Sequence, residues 1–298
     1  MADTGLLLTC TGSPGPPGAR RRDRPRRAGR AVRPLRAVAL ATAFVAGCAA
    51  GPGFVSPGIL YVPTPEGVGV EMLRFAGVTG ADVVYDLGSG DGRVVVAAAK
   101  EFGARGVGVE IEAGLIQDSR ERAFREGIAD RATFVWGDLF ATDLTPATVV
   151  TLYLGEELNR RLRPKLLREL RPGARVVSHD FGLGTWKPDR TVLARGPDRD
   201  HLLRLWVVPA DVSGAWRVRL AGRGEREATL TLRQHFQALD GTLSLDGAAR
   251  PLSGVVEGDA IRFTAGDLAF AGRVRDHRVE GEVIGPGGAR RAWSAERP

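Results

Sequence analysis

Residues 66–179 alternate short apolar runs with segments in which apolar residues recur at helical spacing. Apolar residues recur at helical spacing over Val68–Ala76, and Ala113–Glu126 and Glu156–Leu170 are also predicted to be helical. Alternating strands and helices with largely apolar strands predict an α/β fold with a doubly wound, mostly parallel sheet. The apolar runs predict these buried strands: Asp82–Asp86, Gly106–Glu110, Ala132–Trp136, Ala147–Tyr153 and Arg175–His179.

Local sequence signals predict the start of the helix before the first strand and an irregularity in the helix Glu156–Leu170. Thr64 is expected to be the N-cap of a helix before the first strand, with Pro65 at its first position. Pro164 is expected to kink or break the helix Glu156–Leu170 because proline lacks the backbone N–H that a helix interior uses.

After Pro209 the helical spacing stops, and apolar and polar residues alternate with glycine and aspartate turns between the runs. This pattern predicts an all-β meander that closes into a small barrel or sandwich over 210–298. No metal site or nucleophile is expected there, and binding and purely structural roles are equally open. The predicted strands are Ala215–Leu220, Ala228–Arg233, Gly241–Leu245, Ala260–Thr264, Leu268–Val274, Val279–Ile284 and Ala289–Ser294.

The net charge of +7 is confined to the first part of the 298-residue chain. Residues 1–48 contain nine arginines against Asp3 and Asp23, which accounts for the whole excess. Aromatic residues do not interleave with these arginines, so a solvated leader is favoured over a nucleic-acid-binding arm. No nucleic-acid partner is expected.

The arginines precede a short apolar stretch, Ala37–Cys48, as in a secretory signal. Its end, Val45–Cys48, resembles a bacterial lipobox, which implies a lipidated Cys48, membrane anchoring and a cell-envelope location. A disordered extension with a chance cysteine is the alternative, and the protein would then be cytoplasmic. The predicted divisions are a leader with signal peptide (1–48), a linker (49–57), an α/β domain (58–208) and the β module (210–298).

A glycine loop follows the first predicted strand, where ligands of such sheets bind. Glycines allow sharp turns and close approach of a ligand to the backbone. Their spacing differs from the dinucleotide fingerprint, whose third glycine comes one position later, so a nicotinamide oxidoreductase is disfavoured. The strand ends with Asp86, which suits a cationic ligand. The loop residues are Gly88, Ser89, Gly90, Asp91 and Gly92.

Further acids stand at the ends of the next two predicted strands. Glu110 ends the second strand, where a carboxylate can accept both ribose hydroxyls. Asp138 and Leu139 follow the third strand, where an acid can receive an adenine amino group. Structural explanations exist for each acid alone, but their occurrence at successive strand ends predicts one nucleoside-containing cofactor.

These motifs resemble those of the class I S-adenosylmethionine-dependent methyltransferases, which have a Rossmann-like sheet. The resemblance covers roughly 55–208 and rests on Asp86–Gly92, Gly108–Glu110 and Gly137–Asp138. It implies S-adenosyl-L-methionine as the cofactor, held by the glycine loop and the acids.

A narrower resemblance is to small protein-lysine N-methyltransferases whose eukaryotic members modify the ATP synthase c subunit and the adenine nucleotide translocase. It rests on Tyr61–Pro63, Asp86–Arg93, Leu166–Leu170 and Arg175–Ser178. The resemblance implies that the first of these segments lies beside the methyl-donor pocket and that a protein lysine is the methyl acceptor. A small-molecule acceptor and a non-catalytic binding lipoprotein remain alternatives.

Candidate residues for the acceptor side are Tyr61, Tyr153 and His179. Tyr153 follows the fourth predicted strand, where amine methyltransferases often carry an Asn/Asp-Pro-Pro-Tyr motif. Thr151–Leu154 replaces that motif here, which leaves the acceptor open. His179 could be a base or a structural histidine, and a strong general base is not required once the amine is neutral.

Overall fold

The computed structural model describes residues 61–222 and 226–298. The expectations for the leader, the linker and Cys48 concern residues outside these ranges. The helices are α1 (Glu66–Phe75), α2 (Arg93–Glu101), α3 (Ala113–Arg125) and α4 (Glu156–Glu169). The strands of the first sheet are β1 (Val83–Leu87), β2 (Arg105–Glu110), β3 (Ala132–Trp136), β4 (Val149–Leu152), β5 (Arg175–His179), β6 (Arg190–Arg195) and β7 (Asp200–Val207).

The first sheet has the strand order β3-β2-β1-β4-β5-β7-β6. Strands β1 to β5 pair in parallel, whereas β7 runs antiparallel to both β5 and β6. The order reverses between β1 and β4, so the carboxyl ends of these strands flank the crevice where ligands of open α/β sheets bind. The predicted mostly parallel α/β fold is therefore confirmed, with an antiparallel edge that the pattern did not indicate.

The helices bury apolar faces on both sides of this sheet. On one side, Leu73 of α1 and Val94 of α2 share a core with Leu203 of β7. On the other side, Leu162 and Leu166 of α4 pack in a second core. Because these leucines lie on either side of Pro164, their burial holds the helix together across the proline. The helix continues through Pro164, so the expected break is wrong, whereas the alternative of a kink stays a prediction.

The start of α1 also differs from the expectation. The helix begins at Glu66, Pro65 occupies the N-cap position, and no side chain of the described residues caps the helix. The Thr64 hydroxyl instead lies 3.2 Å from His179 Nδ1, in a buried contact. Thr64 therefore makes a tertiary contact with the end of β5 and does not act as an N-cap.

The C-terminal strands form a closed antiparallel barrel in the order β10-β11-β12-β13-β14-β15-β8-β9. The predicted meander is confirmed in its barrel form, and inward-facing residues such as Trp216, Val218 and Leu220 fill its interior. The pattern missed one strand, which contains Pro251. The strands are β8 (Gly214–Leu220), β9 (Arg226–His235), β10 (Ala238–Leu245), β11 (Ala248–Glu257), β12 (Ala260–Ala265), β13 (Leu268–Arg275), β14 (Arg278–Ile284) and β15 (Arg290–Glu296).

The turn between β9 and β10 joins the barrel to the α/β domain. Trp186 Nε1 donates a hydrogen bond to Gln237 Oε1 at 2.9 Å, and the Phe236 ring stacks on Trp186 with 5.8 Å between ring centroids. Gln237 Nε2 donates to the carbonyl of Lys187 and to Asp189 Oδ1. These residues of the α/β domain belong to the segment between β5 and β6. Among the described residues, no helix is long and apolar enough to cross a membrane.

Candidate functional site

A cavity of about 580 Å³ opens at the carboxyl ends of β1, β2 and β4, beside the strand-order reversal. Three residues predicted for the site, Gly90, Gly92 and His179, are not in its wall. The predicted residues that line it are Tyr61, Asp86, Gly88, Ser89, Asp91, Glu110, Asp138, Leu139 and Tyr153. The fold thus brings together residues from separate strand ends and from the segment before α1.

Asp86, near the end of β1, provides a buried carboxylate in the cavity wall. Burial raises the pKa of Asp86 to about 7, and the nearby carboxylates of Glu110 and Asp91 contribute to this rise. A 2.7 Å hydrogen bond from Thr151 Oγ1 opposes the rise in pKa. A carboxylate that is costly to ionise alone is well suited to a positively charged ligand, which would relieve that cost.

Glu110, at the end of β2, is held rigidly by backbone amides. Its Oε2 accepts a hydrogen bond from Gly90 N at 2.9 Å, and its Oε1 accepts bonds from Ile111 N and Glu112 N. Glu110 therefore fixes the glycine loop while its carboxylate lines the cavity. Two functions, shaping the loop and contacting a ligand, are compatible because a carboxylate has about four acceptor sites.

The glycines of the loop are required by the protein's own packing. Gly90 has a φ of 54°, and a Cβ there would lie 2.3 Å from a ring carbon of Tyr61. Gly92 has a φ of 75°, and a Cβ there would lie 2.6 Å from the ring of Phe134. Left-handed backbone at both positions favours glycine in any case. The packing of the loop against Tyr61 and Phe134 thus requires glycine at these two positions.

Arg93 lines the cavity, although in the sequence it appears only as the last residue of the motif Asp86–Arg93 and has no predicted role. It donates from Nε and Nη2 to the two carboxylate oxygens of Asp91, and its Nη1 donates to the Thr64 carbonyl at 3.0 Å. Burial alone would raise the pKa of Asp91, but the bonds from Arg93 and the charge of Arg122 hold it below its ordinary value. Asp91 N also donates to the Tyr61 hydroxyl at 3.3 Å. Arg93 thereby ties the segment before α1 to the glycine loop.

Asp138 and Ser89 complete this end of the cavity. Asp138 Oδ1 accepts a hydrogen bond from Phe140 N at 2.8 Å, so Asp138 caps a turn as well as lining the cavity. Ser89 Oγ is buried and has no hydrogen-bond partner among the described residues. Buried polar atoms are nearly always paired, so an orphan hydroxyl on a cavity residue indicates a ligand partner.

This end of the cavity fits the cofactor that the resemblance implies. Asp86 suits a positive charge, Ser89 Oγ has no partner in the described part of the chain, and Glu110 and Asp138 offer carboxylate oxygens at the ends of neighbouring strands. Asp86, Ser89, Glu110 and Asp138 are the residues that would hold S-adenosyl-L-methionine.

Aromatic side chains form the other end of the cavity. Tyr153 follows β4 and Phe181 follows β5, with 5.8 Å between their ring centroids. Leu158 of α4 lies in the same wall. The sequence predictions do not include Phe181, although an aromatic residue two positions after a strand end of this sheet is a usable signal. This end can enclose an apolar chain.

His179 lies behind this wall, fully buried at the end of β5. Its ring stacks on Tyr153 with 3.9 Å between centroids, and its two nitrogens contact Thr64 Oγ1 and His201 Nδ1. Burial lowers the pKa of His179 to about 4, so the ring is neutral near pH 7. This geometry favours His179 as a support for Tyr153, in line with the structural alternative considered from the sequence.

Comparisons with known proteins agree with this geometry. A model of the ANTKMT methyltransferase domain matches residues 86–190. The chain is 42% identical over 153 residues to a protein-lysine N-methyltransferase of Saccharolobus islandicus, a match that covers 51% of this chain and 95% of the relative. It is 35% identical over 154 residues to the lysine N-methyltransferase of Homo sapiens named for the ATP synthase c subunit, covering 52% of this chain and 59% of the human protein.

The chain thus spans little more than half the length of that human relative. Among solved structures, an RNA methyltransferase from Salinibacter ruber in complex with S-adenosyl-L-homocysteine is similar, with 50% sequence identity and a TM-score of 0.48. That similarity covers 51% of this chain and 96% of the other.

Proposed function

The chain belongs to the protein-lysine N-methyltransferase family and is an S-adenosyl-L-methionine-dependent methyltransferase, and we propose that its acceptor is the side-chain amine of a lysine in a partner protein. One observation carries the proposal. A single cavity has polar and acidic walls at the Asp86 end and aromatic walls at the Tyr153 end. The second end matches a long apolar side chain that ends in an amine.

The named relatives support the choice of acceptor. The archaeal relative that the chain covers almost completely is a protein-lysine N-methyltransferase, and the human relative is named for lysine methylation of the ATP synthase c subunit. An ATP synthase c subunit is therefore one substrate to test, together with other proteins of a cell lysate.

The chain's own residues would supply positioning and a dry environment. When bound, S-adenosyl-L-methionine supplies an activated sulfonium methyl group. Tyr153, Phe181 and Leu158 would hold the lysine methylenes and exclude water around the amine. An apolar and aromatic surrounding lowers the pKa of a lysine ammonium, which favours the neutral, nucleophilic amine. Loss of the proton to solvent at the cavity mouth then suffices.

The test is transfer of a labelled methyl group from S-adenosyl-L-methionine to proteins of a cell lysate, followed by mass spectrometry of the labelled product. We expect methylated lysine in a protein. Label found only in small molecules or in RNA would contradict the lysine proposal, and no cofactor binding in calorimetry would contradict the enzyme itself.

A matched pair of glycine variants connects the activity to the cavity. Gly90→Ala places a Cβ against Tyr61 on left-handed backbone and should abolish cofactor binding. Gly67→Ala is the control, because a Cβ at Gly67 of α1 meets nothing within 4 Å. Equal binding by both variants would show that the glycine loop is not the cofactor site.

We also propose that Cys48 is lipidated after removal of the preceding signal, which would anchor the enzyme to a membrane of the cell envelope. The sequence Val45–Cys48 after an apolar stretch supports this. Cell fractionation of the unaltered protein and of Cys48→Ser tests it. We expect the unaltered protein in the membrane fraction and the variant outside it. The same soluble distribution for both would contradict the anchor and favour a cytoplasmic enzyme.

A further inference from the structure

A cluster of potential metal ligands lies behind the aromatic wall, outside the cavity lining. His179 ends β5, Asp180 follows it, and His201 lies near the start of β7. His179 Nε2 is 2.8 Å from His201 Nδ1 and 3.4 Å from Asp180 Oδ2, and His201 Nδ1 is 3.8 Å from the same Asp180 oxygen. Three donor atoms, from the last residue of β5, the residue after it and the neighbouring strand β7, thus form one small triangle.

The size of this triangle matches a coordination site. With metal–nitrogen distances of about 2.0–2.1 Å, neighbouring ligand atoms of a tetrahedral zinc ion lie about 3.3 Å apart. The observed separations of 2.8, 3.4 and 3.8 Å bracket that value. Two imidazoles and a carboxylate are also a donor set that zinc takes in proteins.

The backbone directs Asp180 toward the two imidazoles. Asp180 has a φ of 58°, left-handed backbone that aspartate adopts more readily than most residues and that Asp246 and Asp276 also adopt in turns of the barrel. Leu202 N donates to Asp180 Oδ1 at 2.9 Å, which leaves Oδ2 facing the histidines. This turn and the bond from Leu202 N place the carboxylate where a third ligand is needed.

Both imidazoles are held from their far sides. His179 Nδ1 contacts Thr64 Oγ1 at 3.2 Å, and His201 Nε2 contacts Asp198 Oδ1 at 3.3 Å. Metal-bound histidines almost always use their second nitrogen in such contacts, which set the tautomer and the ring orientation. A structural histidine pair does not require this arrangement on both rings.

We propose that His179, Asp180 and His201 bind a divalent transition-metal ion of the zinc class. The ion takes the place of the proton that His179 Nε2 shares with His201 Nδ1. That proton moves to His179 Nδ1, where Thr64 Oγ1 accepts it, while His201 Nε2–H continues to donate to Asp198. Each imidazole keeps one N–H, and no proton is released.

The position beside Asp180 Oδ2 already attracts a cation, the guanidinium of Arg199. Its guanidinium is half exposed and forms an ion pair with Asp180 Oδ2. The guanidinium therefore competes with the ion for this oxygen, and entry of the ion requires Arg199 to swing toward solvent. Because His179 stacks on Tyr153, a bound ion would also fix the orientation of Tyr153 in the cavity wall.

The test measures Zn²⁺ binding by equilibrium dialysis of the full, untagged chain. Its background is the Cys10→Ser/Cys48→Ser double variant, which removes the thiols as competing ligands. We expect one Zn²⁺ per chain, and Co²⁺ should give the visible spectrum of a low-coordinate site. Mg²⁺ should not compete, because it prefers oxygen ligands.

Single substitutions in that background identify the ligands. His201→Ala should abolish binding, and His277→Ala, at an exposed turn of the barrel, is the matched control. Asp198→Asn, at an exposed position, should weaken binding about 10- to 100-fold, which tests the site even if His201→Ala fails to fold. Arg199→Gln should tighten binding.

No Zn²⁺ bound by the background protein would overturn the proposal, as would the same binding by folded His201→Ala or by Asp198→Asn. A lower affinity in Arg199→Gln would place the ion elsewhere and would equally overturn it. None of these measurements depends on the identity of the methyl acceptor.

Discussion

Replacing Asp86 with asparagine should stabilise the fold at alkaline pH and remove cofactor binding at the same time. Asp86 is buried, and its pKa in the folded protein is raised from 3.8 to about 7. A raised carboxyl pKa means that the folded state binds a proton more tightly than the unfolded state does. The stability that this provides is present at low pH and is lost as the pH rises from about 4 to about 7.

The two pKa values set the size of the effect. Ionising Asp86 in the folded protein costs about 4 kcal/mol in full, of which about 2–3 kcal/mol falls between pH 5 and pH 8. Asparagine does not ionise, and its side-chain oxygen can still accept the hydrogen bond from Thr151. The advantage of Asp86→Asn over the unaltered protein should therefore grow by about 2–3 kcal/mol from pH 5 to pH 8.

Urea unfolding of both proteins at pH 5, 6, 7 and 8 measures this difference, and groups that titrate alike in both proteins cancel. Calorimetry at pH 8 should show S-adenosyl-L-methionine binding by the unaltered protein and none by the variant. A difference in unfolding free energy that stays constant across this pH range would refute the raised pKa. Normal cofactor binding by Asp86→Asn would refute its role as the partner of a positive charge.

Other substitutions test the remaining parts of the site. Gln237→Ala leaves Trp186 Nε1 without its partner and should lower the free energy of unfolding by about 1–3 kcal/mol in urea titrations. An unchanged free energy of unfolding would show that this contact does not stabilise the barrel against the α/β domain. Arg93→Gln removes the charged bonds to Asp91 and should weaken cofactor affinity about tenfold in calorimetry, at a cost of about 1.5–3 kcal/mol to the loop; unaltered affinity would contradict this role. Tyr153→Leu should lower kcat about 100-fold with little change in cofactor affinity; a loss confined to cofactor binding would move Tyr153 out of the acceptor wall.

The parallel core of the sheet could be predicted because each of its strands is a short apolar run between turn signals. Asp86 and Glu110 could be placed for the same reason, since they close such runs at the edge where ligands of parallel sheets bind. β6 could not be predicted in this way. It is an edge strand whose Val192 and Leu193 are exposed, so its residues do not show the burial pattern of the inner strands.

Contacts between residues that are distant in the chain could not be predicted from the sequence either. The hydroxyl of Thr64 is a good N-cap by local rules, but tertiary packing places it on His179, 115 residues further along. β11 was missed because Pro251 normally argues against a strand. Within β11 this proline pairs only with Thr242 of β10, and the pairing to β12 begins at Leu252. The barrel therefore tolerates the missing N–H at that end of the strand.

The archaeal relative is too short to hold a counterpart of the barrel, and the contacts of the barrel with the α/β domain restrict how it can act. The archaeal relative is covered to 95% by 153 residues, too few to hold a second module as large as 210–298 beside the α/β domain. The barrel contacts the α/β domain through Gln237 and Phe236, which bind and stack on Trp186 in the segment after β5. The same segment contains Phe181, which lies in the aromatic wall. A partner that displaced the β9–β10 turn would therefore disturb the acceptor end of the cavity first, whereas the glycine loop and Glu110 are anchored by bonds within the α/β domain.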